Sequence, residues 1–203
     1  MDNPVSNENQ SPSGRMRLMD AALSCLADYG YQGTTVRRIA ERADVTAGLV
    51  RHHFDGKDAL LVETYRHFND IALARMATSL AENHDGLDPA LNGAVNALFP
   101  DTLRNVRQMR IMVAFWGLVL TDAKIAEIQH QTNAAFHAHL VTMIETHSDI
   151  RTNVTDIAEG IMAIADGLWL ECCMNPDRMS PERAVEIALR FARAGLGLEE
   201  AKA

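Results

Sequence analysis

The chain has 203 residues, 47% hydrophobic and 23% charged, with a formal net charge of −8. That length can bury one good core, or a small domain beside a larger one. No apolar run is long enough for a membrane span and no basic-then-apolar leader precedes a cleavage site; the three cysteines (Cys25, Cys172, Cys173) make a poor disulfide framework, so the expectation is a cytoplasmic protein without membrane contact.

The charge is uneven. Residues 1–66 carry 8 Lys/Arg against 9 Asp/Glu, whereas 67–203 carry 11 against 18. Within 31–57 the balance is 5 basic against 3 acidic, with two histidines besides. A local basic patch on an acidic chain suits binding of nucleic acid at one end, with non-specific coating disfavoured elsewhere.

Residues 1–14, rich in Asn, Ser and Pro, read as a disordered tail. It has no Lys or Arg, so a minor-groove arm would begin at Arg15 or Arg17. A first helix is predicted from about Met16 to Tyr29, with Leu18, Ala22, Leu26 and Tyr29 as its core stripe and Gly30 as its end. Next, Val36, Ile39, Ala40 and Ala43 recur at three and four residues, and Thr35 or Thr34 can cap that helix. Asp44-Val45-Thr46 is too short to be a loop between independent helices, and Asp can adopt the left-handed conformation of a sharp turn. Another helix runs from Thr46, its expected cap, to Phe54, with Val50 and Phe54 buried.

This layout is a helix-turn-helix over residues 15–56. Thr46, Ala47, Gly48 and Leu49 form a slim leading edge, followed by the donors Arg51, His52 and His53, with Lys57 just beyond. A helical corner with a solvated basic rim has the same spacing, and spacing alone does not separate the two. The residues Thr35, Ile39-Ala40, Ala43-Asp44-Val45, Thr46, Gly48, His53-Phe54 and Lys57, in register, resemble the DNA-binding domain of the tetracycline-repressor (TetR) family of bacterial regulators. Asp44 stands where Gly is usual and Arg51 where Tyr is usual. The resemblance implies a duplex operator, with Arg37, Thr46, Ala47 and Leu49 at base edges, Gly48 allowing close approach, and Thr35, Arg51, His52, His53 and Lys57 at phosphates.

Residues 57–203 read as a ligand-binding and dimerisation domain. A long helix is expected from Lys57 to about Glu82, striped by Leu60, Leu61, Thr64, Phe68, Ile71 and Met76; Asn83–Pro89 breaks it. A short helix reaches Leu98-Phe99 and ends at Pro100. The next, about Asp101 to Leu120, starts basic and turns apolar all round, so its second half is expected to be buried. Then come Asp122–His147, with Ile125, Ile128, Phe136, Leu140, Met143 and Ile144 inward, and the nearly apolar Val154–Met174, stopped by Asn175-Pro176. The last helix opens on Ser180-Pro181-Glu182, with Ala184, Ile187, Ala188, Phe191, Ala194 and Leu198 as its stripe. Its predecessor has so few solvated positions that it is expected to face a partner as well as its own core. No strand alternation appears, so the fold class is all-α, with about nine helices.

Histidines 130, 137, 139 and 147 lack the i,i+4 spacing of a helical chelate. No phosphate loop, nucleophile elbow or zinc spacing appears, so neither an enzyme, a metal nor a cofactor is expected, and a helical enzyme is the unsupported rival. Trp116 and Trp169 lie in apolar helices, and Asp166 shares a helix face with Trp169. Either Asp166 pairs with an Arg and the tryptophans are core, or the group lines an apolar cavity for an organic cation. Arg110–Trp116 and Ala165–Leu170 resemble the choline-responsive betaine-synthesis repressors, the BetI branch of the same family. That likeness implies a homodimer joined through the last two helices and an inducer pocket, with Met112, Phe115, Trp116, Asp166 and Trp169 as candidate ligand contacts, choline as first effector and betaine-synthesis genes as targets. A related regulator with another effector, an activator, or a dimeric ligand-binding protein that no longer reads DNA would share these residues.

Overall fold

The computed structural model describes residues 14–82, 84–99, 106–150 and 153–198. The described residues form nine α-helices and no strand: α1 Gly14–Gly33, α2 Val36–Arg42, α3 Ala47–His53, α4 Gly56–Ala81, α5 Leu87–Leu98, α6 Val106–Val119, α7 Ala123–His147, α8 Val154–Met174 and α9 Pro181–Gly195. The all-α expectation holds. Most of the expected tail, and the first residues of the helix expected from Asp101, lie outside the described residues. The chain forms two compact units, Met1–Thr64 and Tyr65–Ala203. The division lies between Thr64 and Tyr65, within α4, whereas the sequence reading puts it before Lys57.

In the first unit Leu18, Ala22, Cys25, Leu26, Ile39, Ala40, Val50, Leu60 and Leu61 are buried. Thr35 caps α2 by accepting from the Arg38 N–H, which satisfies an orphan donor of the first turn. Thr34 is buried and its hydroxyl donates to the Gly30 carbonyl at 2.7 Å. Helical geometry breaks at Gly30 (φ 64), a conformation open to glycine, but a further turn carries α1 to Gly33. Tyr29 departs from its expected core position: it is 47% exposed. The reason is local, since Arg38 and Arg42 stack on its ring from α2 at 4.5 and 5.7 Å.

In the second unit Leu91, Val95, Leu140, Ile144, Ala158, Ile161, Leu168, Ala188 and Leu189 belong to one apolar cluster. An ion pair from Arg193 to Asp88 (2.6 and 3.2 Å) ties α9 to α5. Ser180 caps α9 by accepting from the Arg183 N–H, with Pro181 in the first turn, and Asp122 caps α7. Three stripe assignments are corrected. Ile71 is exposed on α4. The second half of α6 is not buried all round: Val113 and Gly117 are exposed, as is Leu120 just beyond its end. On α9 the inward face is Ala184, Val185, Ala188, Leu189 and Ala192, while Phe191 (59% exposed) and Ala194 point outward. Periodicity finds apolar faces, but it does not say which of two faces meets the chain's own core.

Candidate functional site

The first candidate surface is the α2–α3 corner. Asp44 adopts the left-handed conformation (φ 53), and the turn closes with Val45 N–H donating to the Ala40 carbonyl at 3.0 Å. Asp44 therefore makes the turn without glycine. Thr46 occupies the N-cap position of α3, but its side chain makes no cap bond, contrary to the expected role. Thr46, Ala47, Gly48, Arg51 and His52 are exposed, and Leu49 and His53 are half-buried. A Cβ added at Gly48 would meet only the Thr46 hydroxyl, at 3.8 Å. Internal packing therefore does not require glycine there.

The cations of this unit divide into two groups. Arg15 pairs with Glu63 at 2.8 Å and lies over the Phe54 ring. Arg42 pairs with Asp28 at 2.5 Å, and Arg38 donates to the Gly33 carbonyl at 2.6 Å. These three hold the unit together. Among the described residues Arg51 has no acidic partner, and Arg37 is bonded only across its own helix, to Glu41 at 2.8 Å on an open surface. Such an exposed pair is weak and can be exchanged for a phosphate. Lys57 is half-buried, its ammonium 3.7 Å from the Tyr31 ring centroid, and Tyr31 donates to Asp58 at 3.1 Å. The sequence did not reveal that Tyr29 and Tyr31 are cation platforms, because isolated aromatics beside a helix end read as core.

The second candidate site lies wholly within the second unit. It is a cavity of about 90 Å³ whose walls include Phe68, Asn69, Arg75, Met112, Trp116, Gln129, Asn133, Phe136, Met162, Asp166 and Trp169. Four of the five residues singled out from sequence, Met112, Trp116, Asp166 and Trp169, line it together. Phe115 does not: it is fully buried and stacks on Tyr65 with ring centroids 4.4 Å apart. Neighbouring residues on a helix point about 100° apart, and here that rotation turns Phe115 onto Tyr65 while Trp116 lines the cavity. Trp169 is fixed by stacking on Phe99 (5.7 Å) and by its indole N–H donating to the Leu98 carbonyl at 3.3 Å. Trp116, Gln129 and Asp166 also line a shallower opening with Val119, Gly167 and Leu170, so Asp166 stands at the mouth. Desolvation raises its carboxyl above the ordinary carboxylate range.

Sequence reasoning missed Asn69, Arg75, Gln129 and Asn133, since polar residues on a long helix read as solvated. Tyr65 donates to the Gln129 side-chain oxygen, Gln129 donates to Asn133 at 2.7 Å, and Asn69 donates to the Tyr65 carbonyl at 2.9 Å. Burial raises the Tyr65 phenol to about 12. Its folded value lies above its unfolded value near 10, so between those limits the unfolded chain releases a proton that the folded chain keeps. Stability should therefore fall as pH rises through that window. Urea midpoints of wild type and Tyr65→Phe, compared at pH 8 and pH 11, should show the wild type losing more; equal losses would refute the assignment.

Residues 18–64 match the family described as bacterial regulatory proteins, tetR family, and residues 87–197 match that described as BetI-type transcriptional repressor, C-terminal. The HTH-type transcriptional regulator BetI of Burkholderia cenocepacia is 31% identical over 175 residues, covering 86% of this chain and 89% of that protein. The chain belongs to the TetR family, BetI type. A TetR-family regulator's helix-turn-helix is thus the role of α2 and α3, and DNA and a small-molecule effector are the family's partners. Among solved structures, a transcriptional regulator from Pseudomonas aeruginosa PAO1 superposes with a TM-score of 0.79 at 29% identity, covering 90% of each chain. A regulator from Saccharomonospora viridis in complex with choline shares the fold (TM-score 0.78, 18% identity, 89% of this chain and 96% of that one). So does FadR from Bacillus subtilis in complex with stearoyl-CoA (TM-score 0.75, 17% identity, 89% and 98%). Among the described residues no helix is long and apolar enough to cross a membrane, and no cluster of three metal-ligating side chains occurs.

Proposed function

We propose that this TetR-family protein is a repressor that binds a pseudo-palindromic operator as a homodimer and is released by a small organic ammonium compound. Choline is the first candidate and betaine-synthesis genes are the proposed targets. The observation that carries the effector reading is the cavity wall on which Trp116, Trp169 and Asp166 converge. An aromatic face contributes about 0.5–2 kcal/mol to binding a cation, and a carboxylate at the mouth attracts one. The choline complex of the Saccharomonospora viridis regulator supports the same reading. A cavity of about 90 Å³ suits a compact ligand. Effector binding would favour one position of α4, which runs from the first unit into the second, and so alter the spacing of the two heads. The ligand can do so only through its differential affinity for the two states.

On the operator, Arg37, Thr46, Ala47 and Leu49 would face base edges, and Thr35, Arg51, His52, His53 and Lys57 phosphates. Arg51→Ala should weaken binding to all duplexes and lower the salt slope by about 1. Gly48→Ala should leave thermal stability intact, because the added methyl has room, yet weaken operator binding about tenfold by blocking backbone approach. Fluorescence anisotropy at several salt concentrations checks both; an unchanged salt slope for Arg51→Ala would defeat the phosphate role. For the effector, choline titrated against intrinsic tryptophan fluorescence should give a saturable change. Silence toward both choline and betaine aldehyde would end the ammonium reading while leaving the DNA reading in place.

A further inference from the structure

The cavity and its mouth share three lining residues, Trp116, Gln129 and Asp166. The way from the mouth to the cavity therefore runs past Gln129. Of the three, Gln129 is the one hydrogen-bonded to α4: its side-chain oxygen accepts from the Tyr65 hydroxyl, and its amide donates to Asn133 at 2.7 Å. Tyr65 is fully buried, and a buried hydroxyl needs an acceptor, so this bond fixes the Gln129 amide between α4 and α7. The rest of Tyr65 is held in the same unit: its ring stacks on Phe115, and its carbonyl accepts from Asn69, which also lines the cavity. Burial above all raises the Tyr65 phenol, and the negative charge of Asp166 adds to that, so the hydroxyl lies within the field of the carboxylate at the mouth. Tyr65 is also the first residue of the second unit, where α4 passes from one unit into the other.

We infer that the Tyr65–Gln129 hydrogen bond is the link through which α4 responds to an occupied cavity: it holds α4 in its operator-binding position, and the effector breaks it by taking Gln129 for itself. This deepens the proposed function and rests on its reading of the cavity as the effector site. The exchange supplies the differential affinity that a population shift requires, because Gln129 serves the ligand fully only in the state that has released Tyr65. Effector and operator then weaken one another by one common factor, typically about 5–150-fold for such couplings. Tyr65 is not among the residues that line the cavity, so it is a positioning residue that acts through Gln129.

The test is Tyr65→Phe in the full-length protein, which removes one oxygen and keeps the ring that stacks on Phe115. Anisotropy gives operator affinity with and without saturating choline, and isothermal titration gives choline affinity for the free protein. In wild type, choline should weaken operator binding at least tenfold. In Tyr65→Phe that ratio should fall below threefold: the ligand-free variant should bind operator about as weakly as choline-loaded wild type, with choline affinity equal to or above the wild-type value. Gln129→Met should lose the ratio as well, together with part of its choline affinity, and the double variant should lose no more coupling than either single one, because both remove the same bond. A Tyr65→Phe complex released by choline as fully as wild type would overturn the inference and leave the effector reading standing. A tenfold loss of choline affinity in Tyr65→Phe would also overturn it, because that reports a damaged cavity. A wild-type complex unmoved by choline and betaine aldehyde would overturn the inference and the ammonium reading together. Thermal midpoints serve as the folding check, and if Tyr65→Phe does not fold, Gln129→Met decides: undiminished release by saturating choline there would overturn the inference.

Discussion

Phe191→Glu is expected to convert the protein to a monomer at micromolar concentration and to lower operator affinity at least a hundredfold. The side chain is 59% exposed on the outer face of α9, and Met174 (58% exposed) and Leu170 are large apolar groups left open on α8. The inner face of α9 is already filled by Ala184, Val185, Ala188, Leu189 and Ala192, so these outward groups have no role in the protomer's own core. A two-fold interface uses the same patch on both copies, so one substitution introduces two unpaired carboxylates into it. Loss of pairing separates the two heads, and each then binds without the effective concentration that tethering gives, a factor of about 10²–10⁴. Sedimentation velocity reads the first effect and anisotropy the second. A variant that remains dimeric would place the interface elsewhere. The cavity lies within one protomer's second unit, so ligand binding should survive in the monomer and serves as a control.

Phe115→Ala is expected to destabilise the second unit by about 3–5 kcal/mol, the range for emptying a buried aromatic site. Phe115 is fully buried and stacked on Tyr65, which is itself fully buried. The deletion removes that stack and leaves a void. The released Tyr65 ring would then hold Gln129 less firmly, and with it the cavity wall. Chemical unfolding should show the midpoint shift, whereas Trp116→Ala, at a half-buried lining position, should cost much less stability and more ligand affinity. A stability loss below about 1 kcal/mol for Phe115→Ala would contradict the core assignment and return this residue to the ligand-contact set.

The contrast between Phe115 and Trp116 shows how far the sequence could be read. Adjacent aromatics in an apolar helix mark that helix as buried somewhere, but one residue's rotation separates a core position from a cavity wall. The helix-turn-helix was more legible. Ile39, Ala40, Val50 and Phe54 are buried as their spacing requires, and Asp44 makes the left-handed turn. Short helices around one tight corner leave few alternative arrangements. Outward apolar positions are harder, because Phe191 and Ile71 are as apolar as core residues and yet exposed. Charged cavity residues are harder still: a single Arg75 on a long helix reads as solvated, and only the packing places it among the residues that line the cavity.

The proposed function couples a head that reads duplex DNA to a cavity that senses an ammonium compound within one chain. The most direct measurement is anisotropy of a labelled duplex from the gene's own promoter, bound by the full-length protein and titrated with choline and betaine aldehyde. The prediction is a complex of two protomers per duplex that dissociates saturably in wild type and persists in Asp166→Asn. A sequence-specific complex unmoved by saturating concentrations of either ligand, or no sequence-specific complex at all, would contradict it.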